Sequence, residues 1–374
     1  MKSLLPIALS ALLAAIPTPV SACGIAGPDG SRIEITAEAA LIVWDEANKT
    51  EHFIRRASFE SSSYDFGFLV PTPSLPEIAE SDDAVFDRLT EITKPRIEYR
   101  SRTASIGCAG AKYAAGESAG KQDGVMVLQQ GRVGDHDLVS IKFDPKAGNE
   151  EQGSRALADW LVRFGYGFGT TLKDWVEPYV KNEWVITAFR IAGEPSEGTK
   201  PAIGATARRS GPRSSESNHL RAKPVRLSFK TDRPFYPYRE PADKHDPSEK
   251  HQPRMLKVFF AADKRYSASL PFPGRTMWAD KLQDAEWADV IAKAKLPANA
   301  GPNEWFLTEF EDRSSPRPGT DEVYFSPSPD QSTVARPPYI YYRESFTAWY
   351  IGLAVCFGLP AVTFLVLRLM RKAA

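Results

Sequence analysis

The stretch that most constrains this chain is residues 346–367, FTAWYIGLAVCFGLPAVTFLVL, which carries no ionisable side chain. At about 1.5 Å of rise per residue, a helix of this length covers the roughly 30 Å hydrocarbon core of a bilayer. Arg343 and Glu344 precede the stretch, and Arg368, Arg371 and Lys372 follow it. Trp349 and Tyr350, with Tyr339, Tyr341 and Tyr342 just before, suit the headgroup level at one boundary, and the basic cluster marks the other as cytoplasmic. The sequence therefore predicts a transmembrane helix over 346–367 and a basic cytoplasmic tail over 368–374. The rest of the chain is expected outside the inner membrane, in a single-pass topology.

The N-terminus agrees with that orientation. Residues 1–22 place Lys2 ahead of a short apolar run, LLPIALSALLAAI, and end in small residues at Val20 and Ala22, the layout of a cleaved signal peptide. Cleavage after Ala22 makes Cys23 the first mature residue. Val20-Ser21-Ala22-Cys23 also fits a lipoprotein site loosely, but Pro17 and Pro19 separate the apolar run from the cysteine. Plain cleavage is the preferred reading.

Acidic and basic residues are equal in number, 47 of each, so the composition carries no footprint for nucleic acid. Cys23 and Cys108 lie in the exported part and Cys356 in the apolar stretch. Two cysteines in an oxidising compartment predict one disulfide, Cys23–Cys108. Closing so long a loop is worth about 4–5 kcal/mol in the chain-entropy model. The alternatives are two free thiols, or a lipidated Cys23 with Cys108 buried.

Along the chain, alternating patterns predict strands at 32–36, 38–45, 50–58, 64–70, 125–130, 138–143, 183–191, 224–230, 255–261 and 305–310. Helices are predicted after Ser81-Asp82-Asp83, from Ser154, from about Thr171 with Pro178 inside, and over 284–295. The expected fold class is α+β, a mainly antiparallel β ectodomain with several packed helices plus the C-terminal transmembrane helix. The expected layout is an N-terminal α+β region over 23–192, a Gly, Ser, Pro and Arg-rich linker over 193–219, and a second β-rich region over 220–312. A proline-rich stalk over 313–345 then leads to the membrane.

Three motifs invite chemistry. Gly116-Glu117-Ser118-Ala119-Gly120 matches the G-x-S-x-G nucleophile elbow, which needs a strand before the serine and a helix after it. Neither pattern flanks Ser118, and His219, His245 and His251 lie in polar, proline-rich segments. Asp135-His136-Asp137 has no second ligand at metal spacing and reads as a solvated hairpin tip. Gly165–Gly169 follows a helix pattern, whereas a dinucleotide loop follows a strand. No catalytic residue, cofactor or metal site is assigned.

Several stretches together resemble a bacterial family known as domain of unknown function 2330. They are ACG at the mature start, YDFGFLVPTPSLPEI followed by VFDRLTEITKPR, ALADWLVRFGYGF, and RLSFKTDRPFYPYR, spread over residues 22 to about 240. The resemblance implies a signal peptide and often a C-terminal membrane helix, and it implies no activity. The family usually has a second cysteine soon after the first, whereas here Gly24-Ile25-Ala26-Gly27 follows Cys23. The functional expectation is a non-enzymatic, membrane-anchored binding or scaffolding component of the cell envelope, partnered by the membrane and an envelope protein or cell-wall component. The rival is an extracytoplasmic serine hydrolase built on Ser118.

Overall fold

The computed structural model describes residues 25–26, 33–61, 66–102, 125–134, 136–163, 171–191, 218–240, 254–269, 272–297, 300–301, 304–314, 317, 319–344, 367–368 and 371. The first half of the chain gives β1 (Ile25–Ala26), β2 (Ile33–Asp45), β3 (Thr50–Ser61), β4 (Phe66–Thr72), β5 (Glu77–Glu80), α1 (Ala84–Ile92), β6 (Ile97–Arg102), β7 (Val125–Val133), β8 (His136–Phe143), α2 (Glu150–Arg163), α3 (Thr171–Lys181) and β9 (Val185–Ile191). The second half gives β10 (Asn218–Arg221), β11 (Val225–Lys230), β12 (Phe235–Tyr236), β13 (Met255–Ala262), β14 (Tyr266–Ala268), β15 (Arg275–Lys281), α4 (Asp284–Ala294), β16 (Phe306–Asp312), β17 (Val323–Pro327) and β18 (Tyr339–Glu344).

These elements form two compact units, one from residues up to 92 and 113–334, the other from 93–112 and 335 onward. The large unit is a sandwich of two large sheets with helices on its outer faces, and it also holds a three-stranded sheet, β12-β17-β14. One sheet runs β15-β16-β13-β2-β3-β11-β5, with β10 also paired to β3, and the other runs β1-β4-β9-β8-β7. β2 reads AEAALIVW because it is buried on both sides: Ala40, Ile42 and Trp44 face the inter-sheet core, while Ala39, Leu41 and Val43 face α1 and α4. A centrally placed strand that pairs in parallel with its neighbour, here β13, shows such a continuous apolar run instead of alternation. On the far side, Leu69, Val139, Ile141 and Ile186 pack against Leu157, Trp160 and Leu161 of α2 and Leu172, Trp175 and Val176 of α3. The order across the large unit is thus helix pair, sheet, sheet, helix pair.

The helix starts follow from local chemistry. Asp82 Oδ1 accepts from Ala84 N at 2.9 Å ahead of α1. Before α2, Asn149 and Gln152 exchange backbone-to-side-chain bonds at 2.9 Å each. That reciprocal pair satisfies orphan amides at the helix start. It sets the start at Glu150, ahead of the Ser154 expected to open the helix. Ser154 instead bonds back to the Glu150 carbonyl at 2.8 Å.

The α+β expectation is corrected. The described chain is mostly β-sheet, and its four α-helices run only nine to fourteen residues. Among the described residues no helix is long and apolar enough to cross a membrane. The 346–367 stretch expected to do so lies outside the described residues except for Leu367. The linker over 193–219 also lies outside them, apart from Asn218 and His219 at the start of β10. The two regions set apart in the sequence share one sheet, with β2, β3 and β5 from the first and β11, β13, β15 and β16 from the second. Much of the proline-rich stretch read as a stalk is core: Val323 and Phe325 are buried, and β17 pairs with β12 and β14.

The small unit is described by β6 and β18 alone, a parallel ribbon registered Ile97↔Tyr339 through Arg102↔Glu344.

Candidate functional site

Strand parity brings a set of charges into the inter-sheet core. Glu38 shares its face of β2 with Ala40 and Ile42, and Arg55 shares its face of β3 with Phe53, Ala57 and Phe59. Register places Asp312, Leu256 and Glu38 in one row across β16, β13 and β2. Arg55 Nε donates to Glu38 Oε1 at 2.6 Å, and Arg317 Nη1 pairs with Glu38 Oε2 at 3.3 Å. Arg317 Nε lies 3.3 Å from Asp312 Oδ2. The Arg55 guanidinium also sits 4.6 Å from the Phe68 ring centroid, so it ties one sheet to the other. Arg254, just before β13, pairs with Glu240 at 2.7 Å.

A strap over residues 235–240 crosses this interior, and carboxylates hold its backbone. Glu51 accepts from Phe235 N at 2.9 Å, and Glu322 accepts from Tyr238 N at 2.8 Å and from Arg239 N at 3.2 Å. Tyr238 donates its hydroxyl to Asp312 at 2.9 Å, and Tyr179 of α3 donates to Glu322. Trp175 Nε1 donates to the Arg239 carbonyl at 3.1 Å, and Glu240 N to the Gly319 carbonyl at 2.9 Å. Tyr236 and Tyr238 are among the largest fully buried side chains. The strap is therefore a clamped core element in which each charge has a structural partner.

The proton affinities follow from that burial. Desolvation pushes the Glu38 carboxyl up, but the guanidiniums of Arg55, Arg317 and Arg254 outweigh it and hold it at about 2. Glu240 is pushed up to about 8, because burial outweighs Arg254 and Arg317. Burial likewise raises Glu51 and Glu322, and it raises the Tyr238 hydroxyl with help from Asp312. These groups are closed from solvent and fix the strap.

The accessible chemistry lies at a sheet edge. An exposed edge strand offers unpaired N–H and C=O groups to another chain unless it is short, covered, or guarded by charge or proline. β1 has two residues and β5 has four. β15 is covered where Ala279 and Val334 exchange backbone hydrogen bonds of 2.8 Å. β7 has nine residues, pairs among the described residues only with β8, and has Arg132 as its one charged side chain. Gln129 reaches from β7 to the Pro76 carbonyl at 3.0 Å, so the second half of the strand lies beside the approach to β5. Among the described residues nothing pairs with the outer edge of the first half, and Met126, Val127 and Leu128 are 38%, 43% and 37% exposed. A bulge between Val127 and Gln129 twists the strand there.

The sequence-assigned positions fall elsewhere. Cys23, Cys108, Ser118, Trp349, Tyr350 and Lys372 lie outside the described residues, and Arg368 and Arg371 are exposed. His136 is a correction: it is fully buried in β8, edge-on to Phe68 and Phe189, with Nε2 3.0 Å from the Lys223 carbonyl. It is a core histidine and not a hairpin tip. Among the described residues no group of three His, Cys, Asp or Glu is placed to hold a metal ion.

Residues 17–316 match the bacterial family described as "Uncharacterized protein conserved in bacteria (DUF2330)". The chain belongs to this family. The DUF2330 region takes in every strand of both sandwich sheets and the strap, and it ends just before Arg317 and β17. No curated protein and no solved structure matches the chain.

Proposed function

We propose that this DUF2330 protein is a non-enzymatic binding or scaffolding component of the bacterial cell envelope, and that β7 is the edge it offers to an extended polypeptide segment of a partner. The carrying observation is the first half of β7, which no other described strand pairs on its outer edge and which holds Met126, Val127 and Leu128 at the surface. Only another strand satisfies a row of free backbone donors and acceptors while burying alternate side chains. The export-signal layout of residues 1–22 supports an extracytoplasmic setting. The clamped interior supports a rigid platform for the edge.

The test places a photoreactive side chain at position 127 and, as a control, at exposed Glu177 on α3, in cells producing the full chain. The reading requires a discrete adduct with another envelope protein from position 127 only, lost in a Met126→Lys/Leu128→Lys variant that keeps its thermal stability. With that partner purified, the amides of residues 125–128 must gain protection from hydrogen exchange on binding. Adducts from position 127 to residues 103–124 of the same chain would show a self-covered edge and refute the proposal. The G-x-S-x-G motif at Ser118 gives the rival reading its own test: loss of a measured esterase activity in folded Ser118→Ala would overturn the non-enzymatic assignment.

A further inference from the structure

The β6–β18 ribbon carries a second exposed surface, independent of β7. Parallel register puts Ile97 opposite Tyr339 and Tyr99 opposite Tyr341. Side chains two apart share a face, so these four residues form one side of the ribbon. All four are exposed, and Tyr99 is 77% so. The rings of Tyr99 and Tyr341 lie 5.9 Å apart, tilted by 31°, and form a small platform. A two-stranded ribbon alone is marginal in water, and parallel pairing is weaker than antiparallel. This face calls for a cover.

We infer that the Ile97, Tyr99, Tyr339 and Tyr341 face rests on the lipid–water boundary of a phospholipid bilayer. Two observations select lipid over a protein partner. Tyrosine combines an apolar ring with a hydroxyl that needs water, and three such rings beside an isoleucine match the headgroup level, where both demands are met. The chain also leaves β18 at Glu344 and two residues later enters 346–367, a stretch with no ionisable side chain that favours lipid over water. The ribbon is thus tied by a very short connection to the most lipid-soluble part of the chain. Its flat aromatic side would act as a float that fixes the height of residues 97–102 and 339–344 at the bilayer surface.

The experiment uses the full chain reconstituted into vesicles of phosphatidylethanolamine and phosphatidylglycerol, doped with a phospholipid bearing a photoreactive group at headgroup level. Lipid adducts are mapped by peptide mass spectrometry. The inference expects adducts within 97–102 and 339–344. In Tyr99→Glu/Tyr341→Glu they should fall by roughly tenfold, because two interfacial rings are lost, while labelling beyond residue 345 is unchanged. A second variant, Tyr99→Trp/Tyr341→Trp, keeps interfacial character and should keep the adducts, which separates loss of lipid contact from loss of the ribbon. Unlabelled ribbon peptides beside a labelled 346–367 stretch would overturn the inference. So would adducts indifferent to the glutamate variant, or cross-links joining the ribbons of two copies.

Discussion

Replacing Glu38 by glutamine asks whether charge holds the buried network together. The substitution keeps shape and volume but leaves Arg55 and Arg317 facing a neutral amide, with both guanidiniums essentially removed from solvent. Breaking a buried pair by removing one partner costs about 3–5 kcal/mol. Linkage gives a second figure. The Glu38 carboxyl sits at about 2 in the folded chain against an ordinary 4.5. At about 1.4 kcal/mol per tenfold change in equilibrium, that gap is worth about 3 kcal/mol. The sign is fixed by the direction: the folded value is depressed, so the stabilisation is complete above about pH 4.5 and is lost as pH falls towards 2. By pH 3 less than half remains. Urea unfolding of wild type and Glu38→Gln at pH 7 and pH 3 should therefore show a gap of about 3 kcal/mol that shrinks by about half on acidification. A gap under about 1 kcal/mol at pH 7, or one that does not change with pH, would refute the view that Glu38 is an ionised anchor for the two arginines.

Glu240→Gln should show the opposite pH dependence. Its folded value is raised to about 8, so its contribution is complete below about pH 4.5 and gone above about 8. Relative to wild type, the variant should gain about 4 kcal/mol between pH 5 and pH 8.5 in the same unfolding assay. Gly319→Ala should destabilise by about 1–3 kcal/mol, because Gly319 has φ of +46° and a new Cβ would lie 2.8 Å from Glu240 Cγ. A thermal shift indistinguishable from wild type would count against a close approach of the strap there. Tyr179→Phe removes the hydroxyl that α3 donates to Glu322 and should cost about 1.5–3 kcal/mol. Unchanged urea stability would mean that this bond does not help to clamp the strap.

Periodicity revealed most of the elements. The predicted strands and helices of the sandwich recur with ends shifted by a few residues, because amphipathic spacing is a local signal. The number of layers was less visible. A strand buried on both faces, like β2, loses its alternation, and the pairing of β2 with β13 joins residues more than two hundred positions apart. β6 is not among the strands expected from the sequence: Glu98 and Arg100 break its apolar pattern, and its partner, β18, lies near the other end of the chain. The charge network did leave a trace. Glu38 and Arg55 occupy the same parity as the large apolar residues of their own strands, and a charge at an inward position is costly unless it is paired. Parity could have located both residues, though nothing in the sequence names Arg317 as the second partner of Glu38.

The proline-rich segment shows why composition misled. Pro316, Pro318, Pro327, Pro329, Pro337 and Pro338 give the window an extended, linker-like average. Within it, DEVYFSP holds a five-residue alternation that inserts Val323 and Phe325 into the core beside Phe260 and Phe310. The prolines do not oppose this: Pro327 ends β17, and Pro316 and Pro318 flank the arginine that enters the carboxylate network. The described part of this return path delivers Arg317, Glu322 and Phe325 to separate buried partners. A flexible stalk would meet the full entropic cost of ordering each of them. The same reasoning fits the surfaces proposed above. Charges expensive enough to perturb proton affinities serve the interior, and the proposals above assign recognition to the cheaper groups at the edges: the backbone of β7 and the tyrosine face of the β6–β18 ribbon.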